Sequence, residues 1–332
     1  MLRTSILILF CSTLWLAPFN LQSAEPKPMP TEGRRPVDGT DQRYWLANME
    51  AHHYSPEEIG LALGMPATDV LKILDDAKTG VSTTQQFVPV PGMGEITMMP
   101  YPGGRHPRIG FLEGAVHPQR ETKISIFPPW KDGGYVVIDF PEAVWHNVGD
   151  KRELLYLAHT HVPTIWQKKG VSLPALEWTR DGFNELSLTR EFPNKISMTS
   201  KARLVETGVH LEFSVTNDTP EKLTGLHVQM CGMLKGLNGF ESQTNDNKIF
   251  SSPFAACKSE AGNRWVILGF NHCRRAWGNA PCPCLHADPQ VPDCEPGETQ
   301  SVQGWISFYE GEQIAHELKR LADVAFTPIR KP

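Results

Sequence analysis

The pattern at residues 209–216 constrains this chain most. Val209, Leu211, Phe213 and Val215 alternate there with His210, Glu212, Ser214 and Thr216. A strand turns successive side chains to opposite faces, so one face is apolar and the other polar. Asn217-Asp218-Thr219-Pro220 follows, a turn by its composition. Leu226, Val228 and Met230 then begin a second apolar face. Half-buried antiparallel strands of this kind must cover their apolar face with another layer. The strand signal recurs at residues 123–127, 135–140, 154–161, 185–190, 196–204, 223–233, 265–270 and 303–309. Together these predict a mainly β chain, a large antiparallel β-sandwich over residues 84–327. Near the end, Ile314, Leu318 and Leu321 stand at helical spacing and predict one C-terminal helix.

The first part of the chain follows a different pattern. Arg3 precedes a short apolar run at residues 5–16, and Leu21-Gln22-Ser23-Ala24 offers a cleavage region. This predicts a signal peptide over residues 1–24 and export to the periplasm or beyond the cell. The apolar run is short for a membrane span, so no stable span is expected after cleavage. Residues 25–41 are polar and proline-rich, which reads as a linker. Residues 42–80 read as a small helical module. In it Ser55 can cap a helix, Pro56 suits the first turn, and Glu58 completes a capping box. Gly64 ends that helix, and Thr68-Asp69 opens another with Val70, Ile73 and Leu74 on one side. Two short helices joined by a glycine turn resemble a DNA reader. Here, however, Arg43, Lys72 and Lys78 stand against Glu50, Glu57, Glu58, Asp69, Asp75 and Asp76, and the whole chain carries a net charge of -5. Both balances oppose phosphate binding, so no nucleic-acid partner is expected.

Six cysteines lie beyond the leader: Cys231, Cys257, Cys273, Cys282, Cys284 and Cys294. An even number in an exported chain predicts disulfides, with the pairing open. Cys282-x-Cys284-x-His286 followed by Cys294 also has metal-ligand residue types, although the spacing is not the usual Cys-x-x-Cys.

The segment LEFSVTNDTPEKLTGLHVQMCGM, within residues 209–233, resembles the central meander of galactose-mutarotase-like supersandwich proteins. The whole chain is also similar to uncharacterised exported bacterial proteins of that layout. The resemblance implies a supersandwich fold and a carbohydrate partner. It also implies membership of a group that holds epimerases, polysaccharide lyase domains and glycoside hydrolase domains. One departure stands out. Where the epimerases carry a His-Pro-Tyr-Phe-like motif that supplies the acid, this chain has Met230-Cys231-Gly232-Met233. Other residues must then do the chemistry.

Four stretches offer such residues. Strand alternation over residues 154–161 puts His159 and His161 on one face, where they could bind one divalent metal or act as acid and base. A third ligand would come from His106, His146, His227 or Glu177. In Tyr101-Pro-Gly-Gly-Arg-His-Pro-Arg108, continuing to Arg120, two glycines let the backbone approach a ligand closely; Arg105, Arg108 and Arg120 could grip a carboxylate or sulfate, with His106 as a further substrate-binding candidate. The amide-rich residues 236–248 supply Asn245 as a sugar ligand. Residues 271–294 read as a long loop whose Trp277 and Arg275 form a stacking wall with a charge beside it. No nucleotide-binding glycine motif, no Gly-x-Ser-x-Gly and no His-Glu-x-x-His is present. The expectation is an exported carbohydrate-active protein of lyase, hydrolase or epimerase-like type, acting on a sugar, acidic or neutral. The alternatives are a non-catalytic glycan- or partner-binding sandwich and a metal-binding exported protein.

Overall fold

The computed structural model describes residues 34–78, 94–103, 120–131, 133–159 and 162–326. The expected leader (1–24), most of the linker, the Arg105–His106 loop and His161 lie outside the described residues. Five helices and fifteen strands form among those that are described. The chain opens with α1 (Gly39–Ala51), α2 (Pro56–Leu63) and α3 (Ala67–Lys78). The first strands are β1 (Thr97–Pro100), β2 (Lys123–Phe127), β3 (Val136–Val148) and β4 (Lys151–Leu157), followed by the short α4 (Ile165–Lys168). Next come β5 (Thr179–Asp181), β6 (Glu185–Glu191), β7 (Ile196–Val205), β8 (Gly208–Asn217) and β9 (Thr224–Met233). The chain continues with β10 (Lys248–Ser251), β11 (Phe254–Lys258), β12 (Arg264–Phe270), β13 (Cys273–Trp277), β14 (Cys284–Pro289) and β15 (Thr299–Glu310), and closes on α5 (Ile314–Val324).

The strands make two antiparallel sheets. One has seven strands in the order β1-β2-β3-β9-β14-β13, with β4 also paired to β3. The other has eight in the order β10-β11-β12-β15-β8-β7-β6-β5. The main core lies between them. Ile124, Ile138, Leu226, Val228, Met230, Leu285 and Ala287 of the first sheet meet Leu211, Phe213, Val215, Leu268 and Ile306 of the second. The alternation at residues 209–216 is thus realised, with Phe213 fully buried and Ser214 half-buried. The Asn217 side chain builds the turn that follows: its Oδ1 accepts from Thr219 N at 3.0 Å, and its Nδ2 donates to Glu221 O at 2.8 Å. Helix α5 covers the outer face of the second sheet, where Ile314 and Leu321 pack on Phe254, Trp265 and Trp305.

The helical module begins at Gly39 rather than at residue 42, because Asp38 accepts from Thr40 N and Asp41 N and caps α1. The capping box at Ser55 and Glu58 is formed, and Gly64 ends α2 in the left-handed conformation. The module packs on the outer face of the first sheet at its β1–β2 edge. Trp45, Met49, Ile59 and Leu63 form one cluster with Met99 and Phe127. Arg120 lies 3.8 Å over the Trp45 ring and Arg180 3.5 Å over that of Tyr44. A polar seam fixes the register of docking. Asn48 Nδ2 donates to Pro100 O at 2.9 Å. His52 Nδ1 lies 2.8 Å from Asn48 O, and its Nε2 lies 2.5 Å from Ser125 Oγ. A carbonyl can only accept, so Nδ1 carries the proton and Nε2 accepts from the serine hydroxyl. No helix among the described residues is long and apolar enough to cross a membrane.

His52 makes this docking acid-sensitive. Burial drives its pKa from 6.5 down to about 4. Below 6.5 the unfolded chain binds a proton that the folded chain refuses, so stability falls as pH drops towards about 4. The expected loss across that window is about 3 kcal/mol, measured by urea unfolding at stepped pH. The His52→Asn variant should be less stable at neutral pH and flatter across the window. An equally steep slope in that variant would assign the effect elsewhere.

Candidate functional site on the outer face of the seven-stranded sheet

Each strand of the seven-stranded sheet gives one face to the core, so its other face is committed by default. That face carries polar and sulfur-bearing side chains. Cross-strand register lines them up: Lys123 is opposite Asp139, Asp139 opposite Cys231, Cys231 opposite His286, and His286 opposite Trp277. One row therefore crosses β2, β3, β9, β14 and β13. Beside it, Ala143 is opposite Gln229, and Arg275 is opposite Asp288. Except for Trp277 at its end, the members of the row are buried. Tyr101, Val137, Met233, Cys282 and Cys284 pack around Cys231 and close the site on one side.

The polar groups contact one another. Lys123 Nζ pairs with Asp139 Oδ1 at 2.9 Å, and both side chains are fully buried. His159 Nε2 lies 3.1 Å from Asp139 Oδ2 and 3.3 Å from Glu142 Oε1. Gln229 Nε2 donates to Glu142 Oε2 at 2.7 Å. The same oxygen is 3.7 Å from His286 Nδ1. His286 Nε2 lies 3.4 Å from Cys284 Sγ, and the Trp277 ring stacks on the imidazole with centroids 3.9 Å apart. Trp277 Nε1 donates to Asp288 Oδ2 at 2.6 Å, while Met230 N donates to Asp288 Oδ1 at 3.2 Å. Burial raises the Asp288 carboxyl to about 6, against the opposing pull of His286 and Trp277. Burial disfavours charge on His286 too, yet Cys284, Glu142 and Asp288 outweigh it and raise its pKa.

A basic rim lies at the other end of β9. Burial first, and then the nearby Arg152, Arg274 and Arg275, drive the His227 pKa down to about 4. Arg275 lies 4.2 Å over the Trp277 ring, and Arg152 lies 5.0 Å over Trp145. Converging guanidinium groups beside flat rings suit an anion carried on a ring.

Several sequence expectations change here. Strand β4 ends at Leu157, so His159 is past the strand. The backbone bond from Ala158 N to Glu142 O, at 2.7 Å, holds the chain to β3 one residue further, and His159 meets two carboxylates. His146 and His227 are opposite Glu153 and Trp145 in the sheet register, and Glu177 pairs with Arg34 and Arg120. None of the three joins His159. Among the described residues, the groups able to hold a metal are Cys231 with Cys284 and His286, and Asp139 with Glu142 and Cys231. Neither group includes His159; its expected partner His161, like Arg105 and His106, lies outside the described residues.

The disulfide expectation is also corrected: none of Cys231, Cys257, Cys273, Cys282, Cys284 and Cys294 forms a disulfide. They occupy different layers. Cys257 and Cys294 belong to the sandwich core, and Cys231, Cys282 and Cys284 to the outer-face cluster. Residues 271–294 hold two strands rather than one stapled loop. Asn245 is a strut beside the β13–β14 turn: its Nδ2 donates to Gly278 O at 3.0 Å and its Oδ1 accepts from Lys248 Nζ at 3.2 Å. Trp277 and Arg275 do stand at the site. Lys123, Asp139, Glu142, Gln229 and Asp288 went unread in the sequence. The alternation of Cys284, His286 and Asp288 with Leu285 and Ala287 was the available signal.

No protein-family profile matches the sequence, and no curated protein matches it. Solved structures similar to it include galactose mutarotase-like proteins, the group that residues 209–233 resemble. One, from Lactobacillus casei, is 8% identical with a TM-score of 0.36, covering 53% of this chain and 85% of that one. Another, from Clostridium acetobutylicum, is 11% identical with a TM-score of 0.33, covering 57% of this chain and 93% of that one. The heparan sulfate lyase HepC from Pedobacter heparinus is 12% identical with a TM-score of 0.32, covering 82% of this chain and 52% of that one. These likenesses assign no activity to the chain.

The buried Lys123–Asp139 pair anchors the row. Lys123→Met should cost about 3–5 kcal/mol, because it leaves a buried carboxylate without its ammonium. The Lys123→Met/Asp139→Leu double variant should recover part of that loss in a urea double-mutant cycle. A single-variant cost below about 1 kcal/mol would show that His159 compensates the charge without help.

Proposed function

We propose that this protein is a carbohydrate-active enzyme that performs acid–base chemistry on an acidic sugar at the outer face of the seven-stranded sheet. The observation that carries the reading is the five-strand row from Lys123 to Trp277, with Glu142 and His159 beside it. A structural sheet face needs no such concentration of carboxylate, imidazole and ammonium, and each buried group costs desolvation.

The roles follow from reach. His159 Nε2 stands between two carboxylates, a position that suits passing a proton between Asp139 and Glu142. Asp139 is held by Lys123 and orients the imidazole. Glu142 is steered by Gln229. At the half-exposed end, Trp277 offers a flat apolar face, and Arg275 with Arg152 and Arg274 supplies charge for a carboxylate or sulfate. Lyase, hydrolase and epimerase chemistry all need a proton moved at such a site, and the substrate screen decides among them.

The test is turnover of acidic and neutral glycans by the purified protein, read by new reducing ends and by absorbance of unsaturated products. Acidic glycans should be turned over. The folded Glu142→Gln variant should lose about 10²–10⁴-fold in kcat/KM. The Arg275→Ala variant should raise KM with little change in kcat, since it removes ground-state binding. Binding without turnover would favour a glycan-binding sandwich. No binding of any glycan would end the sugar reading.

A further inference from the structure

We propose that Cys231, Cys284 and His286 form a binding site for a zinc-class divalent cation at the centre of the polar row. The inference is independent of any sugar chemistry, because metal content reads it directly.

The donor set is two thiols and an imidazole, which select borderline-soft cations over calcium or magnesium. One donor atom from each residue lies within 4.8 Å of the other two. Zinc–sulfur bonds of about 2.3 Å and zinc–nitrogen bonds of about 2.0–2.1 Å give a tetrahedral sulfur–nitrogen edge of about 3.5 Å. The separation of Cys284 Sγ from His286 Nε2 is 3.4 Å. The set is close to ligand spacing before any ion enters.

The scaffold is rigid. Cys284 and His286 are two apart on β14 and share its outer face, and Cys231 is the direct cross-strand partner of His286 on β9. Metal-bound histidines commonly direct their other ring nitrogen to a carboxylate, which fixes the tautomer and the ring. Here Glu142 Oε2 lies 3.7 Å from His286 Nδ1, and Trp277 stacks flat on the ring. A fourth position has its own donors. Asp139 and Glu142 each place an oxygen within 4.8 Å of Cys231 Sγ, where a carboxylate could ligate or hold a bound water. Exposure is 0% at Cys231, 2% at Cys284 and 3% at His286, so bulk water would compete little. Binding replaces two thiol protons, which leave to solvent, and the resulting dithiolate neutralises the dication.

The experiment loads the reduced, full-length purified protein with zinc, removes excess metal by gel filtration, and measures zinc by elemental analysis. Cobalt loading is followed by optical spectroscopy. Stoichiometric zinc is expected, with an intense near-ultraviolet thiolate-to-cobalt band. The Cys231→Ser/Cys284→Ser variant should lose both, and Cys257→Ser, altered in the sandwich core, should keep both. Thermal melting checks the fold of each variant. Should the double variant not fold, the His286→Asn variant and the wild-type cobalt band decide. Absent zinc in reduced wild type, a cobalt spectrum without the thiolate band, or stoichiometric zinc in a folded double variant would each overturn the site. A Cys231–Cys284 disulfide that blocks loading would overturn it as well. Stoichiometric zinc with no binding of any glycan would uphold this site while ending the sugar reading.

Discussion

The register of β3, β9 and β14 is the constraint on which the rest depends. Side chains alternate with a period of two, so a slip of one residue would exchange the two faces of a strand. In β9 it would push Cys231 and Gln229 into the sandwich and expose Val228 and Met230 on the polar face. The main core prevents this. Leu226, Val228, Met230, Leu285 and Ala287 are all 0% exposed between the sheets, and their burial pins the outer face as well. At about 25 cal/mol per Å² of apolar area, the packing of one face positions the chemistry of the other.

Buried charge on the outer face is tolerated because it is shared out. Lys123 offsets Asp139, and His159 bridges Asp139 and Glu142. Gln229 takes up the second oxygen of Glu142. Such a network stiffens the site when each member is satisfied and becomes costly when one is removed. The helical module belongs to the same arrangement. Its His52 reaches Ser125, two residues along β2 from Lys123 and on the same outer face. Docking the module thus covers the edge of the face on which the row begins.

Local rules made much of the fold legible. The capping box at Ser55 and Glu58, the left-handed Gly64, the Asn217 turn and the alternation of residues 209–216 each specify structure within a few residues. Most strands with clean alternation were readable for the same reason. Strand β14 was not, because its cysteines and flanking prolines read as a stapled loop. Its period-two pattern of Cys284, His286 and Asp288 against Leu285 and Ala287 was nevertheless present. His159 departs in the opposite direction, since alternation continued on paper past Leu157, where β4 ends.

By itself the sequence determined which residues face the core, where helices start and stop, and that strands dominate. Those properties depend on near neighbours along the chain. Only the tertiary structure decided that Lys123, Asp139, Cys231, His286 and Trp277 stand in one row. They come from five strands, and sequence spacing does not reveal which strands become neighbours or in what register. It also decided that the six cysteines form no disulfide, although Cys231, Cys282 and Cys284 share one cluster, because pairing depends on local geometry and not on parity of number. The burial of the two sheets against each other brought these distant residues together, and that contact is a property of the whole chain.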